Sequence, residues 1–241
     1  MAATAPSRTP PFVLPSHLST KRHVPTLALP ARSLTARLRL LLSDRTRFTQ
    51  SLARESEALT TAASVLLTSP SALCDPAAAP RLADSLTGAW RLEAQITADL
   101  CDAPITPLDG EDIRGLASAA TAVLEALDDL HAAALLAAPA AEHAPLEPLC
   151  RAALESIEAV AALLADPLAL ARDESLLPVH SSRDRAFRAA ARAAESAIFQ
   201  NYAAAHMPLL LEWTLLGAFR RLRARLQSAV RQTQRAVLKN S

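Results

Sequence analysis

Thr106-Pro107-Leu108-Asp109-Gly110-Glu111-Asp112, running on into Ile113, Leu116, Ala120, Val123, Leu124, Leu127 and Leu130, is the stretch that decides the fold. The apolar residues return at spacings of three and four, which places them on one side of a helix. The residues before them form a proline-led turn. Asp109 has the side chain an N-cap requires, a carboxylate that accepts from a free backbone N–H. Glu111 and Asp112 then oppose the positive end of the helix. The acidic cluster is read as capping, with Asp109 as the structural cap.

Working outward, the seventeen prolines leave proline-free slots at 31–69, 81–103, 108–138, 149–166, 179–207 and 209–241. Proline breaks helix interiors and is tolerated in first turns, so these slots predict six long helices. Each tested slot carries a stripe. Leu34, Leu38, Leu41, Phe48, Leu52, Leu59, Ala63 and Leu66 mark the first, with Ser43 and Asp44 as an expected break. Leu149, Ala152, Ala153, Ile157, Val160 and Leu164 mark the fourth. Leu215, Phe219, Leu222, Leu226, Ala229 and Val237 mark the last. Hydrophobic residues make up 51% of the chain and aromatics 3%, so the apolar content is mainly Ala and Leu, both strong helix formers. Four glycines are too few for hairpin-rich β structure. The expectation is an all-α protein of six long helices in two antiparallel three-helix bundles, divided near 139–148.

Two domains are expected: a disordered Pro/Ser/Thr/Arg-rich tail over 1–32 and a helical domain over 33–241. No Asp or Glu occurs before Asp44, a bias shared with organelle transit peptides. Six prolines in residues 6–30 would spoil an amphipathic targeting helix, which favours a tail or an over-extended gene start. No run is long and apolar enough to cross a membrane. Cys74, Cys101 and Cys150 form neither a CxxC pair nor a disulfide framework and are read as small buried hydrophobes.

The search for chemistry returns no GxSxG, P-loop or GxGxxG motif. His17, His23, His131, His143, His180 and His206 have no His or Cys at helical spacing and are read as surface or loop residues. Asp128–Asp129 and the pair Glu155 and Glu158 are read as solvated faces. The strongest charge feature is basic. Arg220, Arg221, Arg223, Arg225, Arg231 and Arg235 share the final slot with Lys239, and no acidic residue follows Glu212. Arg183, Arg185, Arg188 and Arg192 precede them. The final-slot arginines are the candidate interaction surface, fit for an acidic protein face or an anionic membrane surface. Net charge of +1 and the absence of interleaved aromatics argue against nucleic acid.

Three stretches resemble a known family. Ile105-Thr106-Pro107-Leu108-Asp109-Gly110-Glu111-Asp112-Ile113, continuing through Leu116, Val123, Leu124, Glu125, Leu127 and Asp128, is similar to the central signature of PhoU-like proteins, which accompany Pit-type phosphate permeases. Val237-Leu238-Lys239-Asn240-Ser241 resembles the family's chain end. Ala197-Ile198-Phe199 with Glu212-Trp213 resembles an intervening stretch. The resemblance runs through about residues 45–241 in family order. It implies two three-helix bundles, metal held by carboxylate pairs four residues apart, and regulation of inorganic phosphate transport.

This chain departs from the metal pattern. The four pair positions hold Leu86 and Trp90, Thr121 and Glu125, Asp184 and Arg188, and Ala224 and Ser228. No metal, cofactor or catalytic residue is therefore assigned. The reading is a non-enzymatic cytoplasmic accessory protein, peripheral at the inner face of the membrane, with a phosphate permease as partner and a homo-oligomer as a further option. The alternatives are a helical membrane-surface or protein-interaction module unrelated to phosphate, and a metal-dependent helical-bundle enzyme using Glu125, Glu155 and Glu158.

Overall fold

The computed structural model describes residues 31–102, 106, 108–137, 146–173, 175–205 and 209–239, with side chains described outside 31–46, 102 and 201–211. All regular structure among the described residues is helical. Six long helices stand in the proline-free slots: α1 (Ala31–Leu67), α3 (Ala79–Asp102), α4 (Gly110–Ala137), α5 (Glu147–Ala165), α7 (Leu176–Ala205) and α8 (Leu209–Lys239). Two one-turn helices, α2 (Pro70–Leu73) and α6 (Ala169–Arg172), and a 3-10 turn, Pro76–Ala78, fill connections expected to be plain loops. The expected tail and the dividing segment near 139–148 fall almost entirely outside the described residues.

The helix ends follow local chemistry. Pro80, Pro148 and Pro178 each lie in a first turn, so their helices begin two or three residues before the proline-free slot does. Ser69 caps α2 by accepting from the Ala72 N–H at 3.1 Å, and Asp75 caps the 3-10 turn by accepting from the Ala77 N–H at 2.9 Å. At α4, Asp109 Oδ1 accepts from the Glu111 N–H at 3.1 Å, and the Asp109 carbonyl accepts from the Ile113 N–H at 3.0 Å. The break expected at Ser43 and Asp44 does not occur, and α1 is helical through both. Ser and Asp cost only a few tenths of a kcal/mol more than Ala in a helix interior, too little to interrupt 37 residues.

Helices α1, α5, α8 and α4 form a ring in which α1 packs on α5 and α4 packs most extensively on α8. On the flanks, α3 lies against α1 and α4, and α7 lies against α5 and α8. One contiguous hydrophobic core runs through all six. The stripes in α4 and α8 are buried along their whole length, and the α1 stripe is buried from Phe48 onward. Small residues on facing sides, among them Ala117, Ala120, Ala134, Ala218 and Ala229, let helix axes approach closely. Gly115 is a position where this closeness matters, because an added Cβ would run into the Gln232 side chain. Between α7 and α8, Phe187 and Phe219 meet edge to face at 6.4 Å.

Candidate functional site

The antiparallel α7 and α8 enclose the most distinctive chemistry in the molecule. Asp184 projects from α7 toward α8, and Arg223 grips it with both arms of the guanidinium, Nε at 2.7 Å and the second nitrogen at 3.0 Å. Gln227, one turn along α8, donates to the same carboxylate at 3.1 Å, and Arg188, one turn along α7, approaches at 3.3 Å. Asp184 and Arg223 are each about one-fifth to one-quarter exposed (22% and 24%), so this is a half-buried fork-to-fork pair.

Around the clamp opens a cleft of about 530 Å³, closed on its inner side by Ser156 and Val160 of α5. Five guanidinium groups line it, from Arg183, Arg185, Arg188, Arg223 and Arg231, against the single carboxylate of Asp184. Arg183 donates to the Glu155 carbonyl. Among the described residues Arg185 and Arg231 pair with no carboxylate. Leu177, Leu226 and Val230 give the cleft an apolar lining. Burial, and secondly the charge of Arg183, pushes the His180 imidazole below its usual range, so it is neutral near pH 7.

The structure spreads the six final-slot arginines around α8. Arg223 and Arg231 face this cleft. Arg221 and Arg225 line a second one with Trp90, Glu125, Asp128 and Asp129, and Arg221 lies 3.8 Å from Asp129. Arg220 bonds Glu195 at 2.9 Å and covers the Trp213 ring at 5.3 Å. Arg235 sits near Glu111, Asp112 and Lys239 at the far end of α8. Among the described residues neither Arg225 nor Arg235 pairs with a carboxylate.

The positions aligned with carboxylate pairs do not fit a metal. Asp184 is committed to two guanidinium groups and an amide. Glu125 accepts from the Trp90 indole N–H at 3.3 Å, while Leu86 and Ala224 offer no donor atom. Glu155 and Glu158 are exposed on α5 and Glu125 is exposed on α4. No group of three or more His, Cys, Asp or Glu among the described residues is arranged to hold an ion. Likewise, no described helix is long and apolar enough to cross a membrane.

Several residues depart from the sequence reading. His131, expected at the surface, is buried in α4, where Nδ1 meets the Leu73 carbonyl at 2.9 Å and ties α2 to the core. His180 lies within a helix and is half-buried. Cys150 is buried and Cys74 half-buried, but Cys101 is exposed on the outer face of α3. Burial, with smaller contributions from Cys74 and Glu147, pushes the Cys150 thiol up to about 12, so it is no nucleophile at neutral pH. Glu55 was missed altogether. It is 0% exposed, and neither carboxyl oxygen has a hydrogen-bond partner among the described residues. Its place on the Leu52–Leu59 stripe, three residues from one leucine and four from the other, was the available signal.

The segments that carry the family resemblance meet in space. Lys239 Nζ bonds Asp109 at 2.7 Å and approaches Asp112 at 3.7 Å, joining the end of α8 to the start of α4. Phe199 and Trp213 stack edge to face at 5.5 Å. In comparisons with known proteins, no family model and no curated protein matches the chain.

Proposed function

We propose that the chain is a non-enzymatic accessory protein that regulates, or docks on, an inorganic phosphate permease, as a PhoU-like protein whose metal pairs have been replaced. The observation that carries this reading is the bonding of Lys239 to Asp109 and Asp112. These are motif residues of two family-like segments, 130 positions apart in the chain for Lys239 and Asp109. The helix contacts are compatible with a family division into α1, α3 and α4 against α5, α7 and α8, with the two triads sharing one core. The cytoplasmic face of the permease is then the partner, and Arg225 and Arg235, which pair with no carboxylate among the described residues, are cations for docking. Clamping of Asp184 by arginine supports a site that works without metal.

The test is phosphate uptake in cells lacking this chain and complemented with variants. Loss of the chain changes uptake, wild type restores it, and the double variant Arg225→Glu/Arg235→Glu restores it poorly. The salt sensitivity of the contact follows from screening beyond about 10 Å at 0.1 M. Unchanged uptake after loss of the chain would overturn the phosphate reading, and salt-sensitive liposome binding by the isolated protein would then favour the membrane-surface module. A stoichiometric transition metal in the purified protein would overturn the metal-free reading.

A further inference from the structure

We propose that the cleft between α7 and α8 is a binding site for a soluble phosphate monoester carrying an apolar group. The inference stands independently of any permease. A cleft lined by five guanidinium groups and one carboxylate concentrates positive charge in a chain whose net charge is only +1. Arg223 and Arg188 share the one carboxylate, Arg183 is held by a neutral carbonyl, and Arg185 and Arg231 have no acidic partner among the described residues, so the cleft keeps a positive excess. That positive excess suits a dianion, and the planar forks of Arg185 and Arg231 fit the oxygen geometry of a phosphoryl group. A singly charged carboxylate ligand would offset less of that excess than a phosphate dianion does.

Size and lining define the rest of the ligand. The volume of about 530 Å³ falls within the range of clefts that bury small organic ligands and far exceeds what bare phosphate fills. Leu177, Leu226 and Val230 supply apolar surface beside the cations. Phe187, the one phenyl ring of the lining, is only 1% exposed and offers no platform for stacking a nucleobase. The Asp184–Arg223 clamp, braced by Gln227, holds the cationic wall in place before a ligand arrives.

The test is calorimetric titration of the full chain with phenyl phosphate at fixed ionic strength, beside inorganic phosphate, phenol and vesicles of anionic phospholipid. Saturable one-to-one binding of phenyl phosphate is expected. Arg185→Ala and Arg231→Ala should each weaken it about tenfold, the usual loss for one charge-assisted hydrogen bond. Arg225→Ala, in the other cleft, should leave it unchanged. Arg185 and Arg231 are exposed, so both variants should melt like the wild type without ligand. Absence of saturable binding, or an equal loss in Arg225→Ala, would overturn the site. Inorganic phosphate binding as tightly as phenyl phosphate would overturn the monoester. Vesicles that displace phenyl phosphate through Arg185 and Arg231 would replace the soluble source with a lipid headgroup.

Discussion

The α1–α3 side of the molecule and the α7–α8 side each bring a carboxyl group inward, and they treat it in opposite ways. Asp184 enters with two guanidinium groups and an amide around it. Glu55 enters fully buried and, among the described residues, without a hydrogen bond, and the charge that acts on it is another acid, Glu93 on α3. Burial first, and Glu93 second, raises the Glu55 carboxyl to about 8, so in the folded protein it is neutral at pH 7. One side has converted an inward acid into a cross-helix clamp. The other tolerates it as a protonated side chain in the core, and that tolerance depends on pH.

Glu55 gives the largest effect. Its folded value stands above the ordinary 4.5, so below pH 4.5 the group is protonated in both states and costs nothing electrostatically. As pH rises from 4.5 toward about 8, the unfolded chain releases a proton that the fold retains, and stability falls. Glu55→Leu should therefore raise the unfolding free energy at pH 8 by roughly 2–4 kcal/mol, with a smaller gain at pH 5. Urea melts across this range measure it, and an unchanged pH slope in the variant would remove the contrast with Asp184.

Asp184 comes next, with the opposite sign. Asp184→Ala strips the half-buried Arg223 of its bidentate partner and should lower stability by roughly 1–3 kcal/mol. A variant as stable as wild type would show that solvent serves the guanidinium equally well. The exposed Asp109 sharpens the scale from the other end. The Lys239 bond, then the Glu111 N–H, holds its carboxyl below the ordinary 3.8. Its contribution is thus present above that value and lost as pH falls through the lowered one. Asp109→Ala should lower Tm by about 2–4 °C at neutral pH, and the gap from wild type should close in acid. A gap that persists in acid would assign the loss to something other than the carboxylate.

The long helices were legible because proline and periodicity are local signals. Stripes such as Ile113–Leu130 and Leu215–Val237 state which face is buried, and those faces are buried. What they cannot state is the neighbour, since Ala and Leu faces are interchangeable partners, and the heavy packing of α4 on α8 and α1 on α5 has no sequence signature. The short helix α2 and the 3-10 turn were within reach. Ser69-Pro70 and Asp75-Pro76 each pair a capping residue with a proline suited to a first turn. The cleft was half legible: its arginines were conspicuous, but their division around α8 depends on where α7, α3 and α4 settle against it. Glu55 and His131 share one lesson, that a polar residue in phase with an apolar stripe goes inward with it.

The edge-to-face packing of Trp213 on Phe199 has an optical consequence. The chain has only two tryptophans, and they report on different helix pairs. Trp90 is tied to Glu125 across α3 and α4, while Trp213 lies between Phe199 of α7 and Arg220 of its own helix. With Trp90 changed to phenylalanine, the remaining tryptophan fluorescence would come from Trp213 and follow the separation of α7 from α8. The two helices that enclose the arginine cleft thus come with a built-in emitter, and their opening could be watched in solution without attaching a dye.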